Sequence, residues 1–197
     1  MVNEYLDGVA KQAGSIDIFF NAMGPQPRDD GNGTSTMELP LEKFMLPLTT
    51  IVPSQFITAR SVARHMIRQQ SGVIIFVTST PSRGLTSNVT AIGTTFGAVE
   101  SLLRGLAVDL GPAGVRVAGI RVGGMVDTRT MEQTFRNVAD TTGVSKEQVV
   151  SIVEQRTLLR RIPTVADTAR LAAFLASDGA RTLTGAIINA SSGAFID

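Results

Sequence analysis

Few side chains in this sequence could do chemistry, and their scarcity narrows the choice. The 197 residues contain no cysteine, one histidine (His65) and one tyrosine (Tyr5). Thiol catalysis, disulfides and thiolate metal sites are excluded, and a histidine-based triad or a conventional metal centre lacks its parts. What remains is a hydroxyl-rich cluster, Thr78-Ser79-Thr80-Pro81-Ser82-Arg83-Gly84, directly after the apolar run Val73-Ile74-Ile75-Phe76-Val77. Ser79 at the mouth of that run could belong to a ligand site, or could simply end a strand and cap a turn. A second stretch, Val122-Gly123-Gly124-Met125-Val126-Asp127-Thr128, follows another apolar run. It could line a ligand site; equally, it could be a helix cap.

These two stretches need elements to hold them. Residues 73–77 have the unbroken, β-rich pattern of a strand buried on both faces. Pro81 has no N–H to give and Gly84 invites a turn, so the chain must loop there. From Val89, apolar residues fall at Ile92, Phe96, Val99, Leu103, Leu106 and Leu110. Steps of three and four draw one stripe along a helix of about six turns. Gly111-Pro112-Ala113-Gly114 stops it, and the run starting at Val115 supplies the next strand. Residues 72–128 are thus a right-handed β-α-β crossover with parallel strands, and ligands of open parallel sheets bind just beyond the strands' carboxyl ends. Ser79 and the 122–128 stretch fall on that rim.

Upstream, residues 2–13 predict a short helix ended by Gly14, and residues 16–20 a buried strand that leaves through Asn21-Ala22-Met23-Gly24. Residues 25–36, carrying Asp29-Asp30-Gly31-Asn32-Gly33, have turn chemistry and no period, and are expected to form a mobile loop. Residues 39–70 are helical in pattern, with a kink or break expected between Pro47 and Pro53. Downstream, Thr128 or Thr130 caps a helix towards Val138, and Ser145 with Gln148 has the capping-box spacing for another through Arg156. These two are expected to form a lid or flank. Thr164 with Asp167 starts a further helix, and residues 183–190 close the chain with a last strand.

Residues 1–197 read as one α/β domain. A net charge of +1 and 43% apolar residues give no sign of a nucleic-acid or membrane partner. Arg60/Arg64/Arg68 and Arg160-Arg161 read as solvated faces. No segment reaches the roughly 18 apolar residues needed to cross a membrane. A soluble, cytoplasmic chain is expected.

Arg161-Ile162-Pro163, Ala172-Ala173-Phe174-Leu175-Ala176-Ser177-Asp178 and Leu183-Thr184-Gly185 resemble the ending of the short-chain dehydrogenase/reductase family, as does Leu110-Gly111-Pro112-Ala113-Gly114-Val115-Arg116-Val117. The resemblance extends along essentially the whole chain. It implies a Rossmann-like parallel sheet flanked by helices, NAD or NADP as cofactor, and carbonyl/alcohol interconversion on a small-molecule substrate. It also implies a homo-oligomer whose contacts use the two long helices. Ser79 then takes the place of the family's catalytic serine, with Asn21, Ala22, Gly24, Gly123 and Thr128 on the cofactor side.

The departures from the family bear on function. Family members begin with a strand and a TGxxxGxG turn, so at roughly 30 residues per β-α-β unit about 60 residues are expected before Met1. The chain is accordingly expected to lack the first βαβαβ portion of the sheet and to keep the last four strands, with residues 16–20 as an open apolar edge. No GxxxGxG or GxGxxG occurs, and Gly31-Asn32-Gly33 neither follows a strand nor opens a helix. In the family a Tyr acts as general acid/base and a Lys four residues on brings its phenol towards neutrality. Thirteen residues after Ser79 stands Ile92, and one helical turn later Phe96. The family's helix asparagine has no counterpart near Thr50 or Ile51, and its Pro-Gly pair is Val122-Gly123. Two functions therefore compete: an NAD(P)-linked oxidoreductase, and a non-catalytic ligand-binding or scaffold subunit. A fragment of a longer family chain is a third reading, which restores the cofactor cradle but not the Tyr and Lys.

Overall fold

The run after Gly72 becomes one of two central strands in a parallel sheet. In the computed structural model, which describes residues 1–24, 31–83 and 87–196, the helices are α1 (Val2–Ala13), α2 (Leu41–Gln69), α3 (Thr90–Leu110), α4 (Arg129–Thr142), α5 (Lys146–Gln155) and α6 (Val165–Ala176). The strands are β1 (Ile18–Asn21), β2 (Gly72–Ser79), β3 (Val115–Val122) and β4 (Ile187–Ala190). They lie in the order β1-β2-β3-β4, all parallel, with Ser79 level with Val122. That register brings the two rim stretches side by side.

Strand alternation divides the core between the two faces of the sheet. Ile74 and Phe76 of β2 and Val115 and Val117 of β3 pack with Ile51, Val62 and Met66 of α2 and with Ile92, Phe96, Val99 and Leu103 of α3. Val73, Ile75, Ala118 and Ile120 face the other way, onto Leu175 of α6. The apolar stripe of α3 is thus the helix's buried face. A smaller cluster of Phe135, Val149 and Ile162 joins α4 to α5. The predicted capping box at Ser145/Gln148 is formed, the predicted helix start at Thr164 is a capping box with Asp167 as well, and Thr128 caps α4.

Three expectations are corrected. The first strand runs over Ile18–Asn21, not residues 16–20, and is not buried: Ile18 is 53% and Phe20 44% exposed. It is the edge of the sheet, so its apolar run reflects a strand paired on one side only. Of the kink or break expected between Pro47 and Pro53, the break does not occur: α2 is one helix from end to end. Each proline removes one backbone hydrogen bond. The burial of Ile51, Ala59, Val62 and Met66 on the same helix outweighs that loss. The last strand is four residues, not eight. Before it, Gly185 at φ +70° turns the chain while its N–H donates to Val117 O at 2.7 Å, and Thr184 Oγ1 accepts from Val117 N at 3.1 Å.

Residues 25–30 of the expected loop lie outside the described residues. The rest of it is tied down: Gly33 N donates to Asn88 O at 2.8 Å, and the Thr36 and Thr90 hydroxyls hydrogen-bond. Among the described residues no helix is long and apolar enough to cross a membrane.

Candidate functional site

Where β1, β2 and β3 end, their exits surround a crevice of about 370 Å³. Ala22, Met23 and Gly24 leave β1, Ser79, Thr80 and Pro81 leave β2, and Val122 to Met125 leave β3. The first turns of α3 contribute Val89, Ile92 and Phe96, while α4 covers the crevice with Thr130, Met131 and Thr134. The expected flanking helix is therefore a wall of the site. Gly124 adopts φ +98°, a conformation that favours glycine, and a Cβ there would sit 2.7 Å from the Met131 sulfur. This glycine lets α4 close down on the crevice.

The residues singled out from sequence divide by how their polar atoms are used. Ser79, Ala22, Gly24, Gly123 and Thr128 all line the crevice. Asn21 does not line it: it is 5% exposed, its Nδ2 donates to Thr58 Oγ1 at 3.4 Å, and its Oδ1 accepts from Met23 N at 3.4 Å. It shapes the β1 exit from beneath. Thr128 is committed as a cap, donating to Met125 O at 2.8 Å and accepting from Met131 N at 3.3 Å. Among the described residues, the hydroxyls of Ser79, Thr80 and Thr130 line the crevice with no protein partner. They are the groups offered to a ligand.

Ile92 and Phe96 are 8% and 7% exposed and belong to the main apolar cluster while also lining the crevice. Among the described residues lining it there is no Asp, Glu, Lys, Arg, His or Tyr. The charges lie one layer down. Glu100, one turn beyond Phe96, and Arg121, just before Val122, are 3% and 2% exposed. They meet fork to fork, with Arg121 Nε and Nη2 each 2.8 Å from a carboxylate oxygen. Glu100 Oε1 also accepts from Thr78 Oγ1 at 3.0 Å and Ser82 Oγ at 2.7 Å. Burial alone would raise this carboxyl; Arg121, Ser82 and Thr78 outweigh it and hold the group below the ordinary range.

Sequence reading did not find this pair, nor the lining residues Thr130 and Met131. The available signal was a Glu on the apolar side of a helix and an Arg inside an apolar strand. Nor did it find Gln55, which is fully buried, donates Nε2–H to Met23 O at 3.1 Å and leaves Oε1 unpartnered among the described residues. Two other hollows lie away from the rim. One, of about 390 Å³, is lined by Met1, Val2, Tyr5, Leu6, Phe19 and Thr58 beside the β1 edge and is almost wholly apolar. The other opens at the opposite ends of the strands, where Arg116 already donates to the Leu183, Ala176 and Ser177 carbonyls.

A parallel sheet covered by helices on both faces, with its crevice at the carboxyl ends of the strands, defines a Rossmann-like α/β protein. The comparisons give the family. A family model described as enoyl-(acyl carrier protein) reductase matches residues 1–194. The chain is 28% identical over 191 residues to the 7alpha-hydroxysteroid dehydrogenase of Escherichia coli (strain K12), covering 95% of this chain and 67% of that protein. Sorbitol-6-phosphate 2-dehydrogenase SrlD from Erwinia amylovora superimposes with a TM-score of 0.89 at 21% identity, over 100% of this chain and 75% of its own. NAD+-bound xylitol dehydrogenase does so at 0.86 and 27% identity, over 98% and 74%. The chain belongs to the short-chain dehydrogenase/reductase family, a family of oxidoreductases.

Proposed function

We propose that this chain binds a neutral small molecule in its crevice and does not carry out the family's hydride chemistry by the family's proton relay. One observation carries this reading: among the described residues, no ionisable side chain lines the crevice. Reduction of a carbonyl needs a proton donor and oxidation of an alcohol a proton acceptor, poised near the working pH. Ser79 can hydrogen-bond to an oxygen, but a lone aliphatic hydroxyl is too weak an acid to serve. The walls suit an uncharged, largely apolar molecule: Val77, Ile92, Phe96, Met125 and Met131 supply contact area, and the free hydroxyls of Ser79, Thr80 and Thr130 supply orientation.

The residues present do not fit a nicotinamide dinucleotide. A cofactor of that kind carries two phosphates, and among the described residues no cation lines the crevice to meet them; the phenyl ring of Phe96 stands where the resemblance places the family's lysine. The rival reading is NAD(P)-linked carbonyl/alcohol interconversion. It is favoured by the uncommitted Ser79 hydroxyl beside the Gly123 loop. Calorimetric titration of the purified chain with NADH and NADPH decides between them. No saturable binding up to millimolar is expected; saturable micromolar binding would overturn the proposal. The double substitution Ile92→Tyr with Phe96→Lys is likewise expected to give no NAD(P)H-dependent turnover. The lysine would be placed at a position only 7% exposed, with no acidic residue among the described residues lining the crevice to meet it.

A further inference from the structure

Glu100 and Arg121 are charges that the crevice does not display. Apolar side chains of similar volume generally hold such a place equally well. The partners of the pair show a different use. Thr78 and Ser82, which both donate to Glu100 Oε1, stand on either side of Ser79, one before it and one in the turn after it. Arg121 leads directly into Val122, Gly123 and Gly124 of the crevice wall. Its guanidinium also lies over the Phe195 ring, 5.7 Å from the ring centre. The Phe195 carbonyl in turn accepts from Asn189 Nδ2 at 3.0 Å. One buried ion pair therefore ties together the end of β2, the turn that follows Ser79, the end of β3 and the C-terminal segment.

We propose that Glu100 and Arg121 are positioning residues, which hold the Ser79 turn and the Phe195 segment in one arrangement and so set the shape of the crevice. The geometry suits that task better than burial alone would. A fork-to-fork pair is directional, and a carboxylate oxygen with three donors fixes all three at once. Apolar contacts would fill the same volume without specifying where Thr78 and Ser82 sit. The link to ligand binding rests on the reading that the crevice takes a neutral molecule; the link to the two segments does not.

The test uses the whole chain with Glu100→Leu and Arg121→Met combined, so that neither charge is left buried alone. Three quantities are read: the thermal midpoint, amide hydrogen exchange along the chain, and affinity for Nile red, a neutral apolar dye. The midpoint is expected to stay the same or rise. The amides of residues 78–83 and 191–196 should exchange at least about tenfold faster, while those of α2 and α6 keep their protection. Dye affinity should fall about tenfold. Unchanged protection of both segments overturns the proposal, and so does a loss spread evenly over the fold, which is what a merely structural role would produce. Ser82→Ala provides an arm that leaves both charges paired. It should speed exchange in residues 79–83 but not in the C-terminal segment, and Ser82→Thr should restore it; no change in Ser82→Ala also overturns the proposal. If the unaltered chain does not bind the dye, the neutral-ligand reading fails, and the exchange data still decide the role of the pair.

Discussion

Asp167 works at the start of α6 as both cap and charge. Its Oδ2 accepts from Thr164 N at 3.0 Å and from Thr164 Oγ1 at 2.8 Å. Those bonds, the backbone one foremost, hold its carboxyl below the ordinary range against a small opposing effect of burial, with help from Arg161 and Arg170. Glu100 is held low as well, for the reasons given above. A carboxyl whose folded pKa is depressed contributes stability that is fully present above its unfolded pKa, near 4, and is lost as pH falls through the lower folded value. The protein should therefore lose stability below about pH 4. Asp167→Asn keeps a cap acceptor but removes the charge. In urea unfolding its deficit should be larger at about pH 7 than at about pH 3, below the ordinary carboxyl pKa, where the unfolded chain's carboxyl is largely protonated and part of the stabilisation is already lost. An equal deficit at both would show that the charge is irrelevant. At this scale the chemistry was partly legible. Ser79, Ile92 and Phe96 could be located by counting along one crossover, whereas Glu100 and Arg121 are 21 residues apart on different elements, so only their packing shows that each satisfies the other.

The element that sets the width of the crevice is α3, and its glycines differ in purpose. A Cβ on Gly93 would lie 2.6 Å from the Pro81 carbonyl oxygen, so only a glycine lets the helix approach the turn after Ser79 this closely. Gly97 and Gly105 would meet nothing within 4 Å. Glycine inside a helix costs about 0.5–1 kcal/mol relative to alanine. Gly97→Ala and Gly105→Ala should each raise stability by about that amount in denaturant unfolding. Gly93→Ala should lower it, by about 1–3 kcal/mol, because the clash is with backbone. A stabilising Gly93→Ala would mean that the helix and the turn are not held against each other. The continuity of α2 through Pro47 and Pro53 carries a related lesson. Local rules priced the two lost hydrogen bonds correctly but had no measure of the packing on the other side of the balance.

For the molecule as a whole, the open side of β1 is the feature most exposed to association. Ile18 and Phe20 present apolar surface there, and the apolar hollow formed by Met1, Val2, Tyr5, Leu6 and Phe19 continues it. An unpaired strand edge of this composition pairs readily with another chain. We propose that the protein self-associates through this edge, and Ile18→Lys should shift it to smaller species in sedimentation velocity. A native chain that stays monomeric at high concentration would sink the idea.

Much about this protein was determined by its sequence alone. The helix over residues 89–110, a strand over residues 73–77, the capping box at Ser145 and the helix start at Thr164 follow from periods and spacings within a few turns of chain. That Ile92 and Phe96 follow Ser79 on one crossover follows from counting residues. Tertiary structure decided the rest. It showed that Asn21 supports the crevice rather than lining it, that Met131 closes over Gly124, and that Glu100 and Arg121 join the crevice walls from below. The reason is physical: propensity and periodicity act between near neighbours along the chain. Burial and the pairing of buried charges depend on which distant segments meet, and that is set only once the layers have packed.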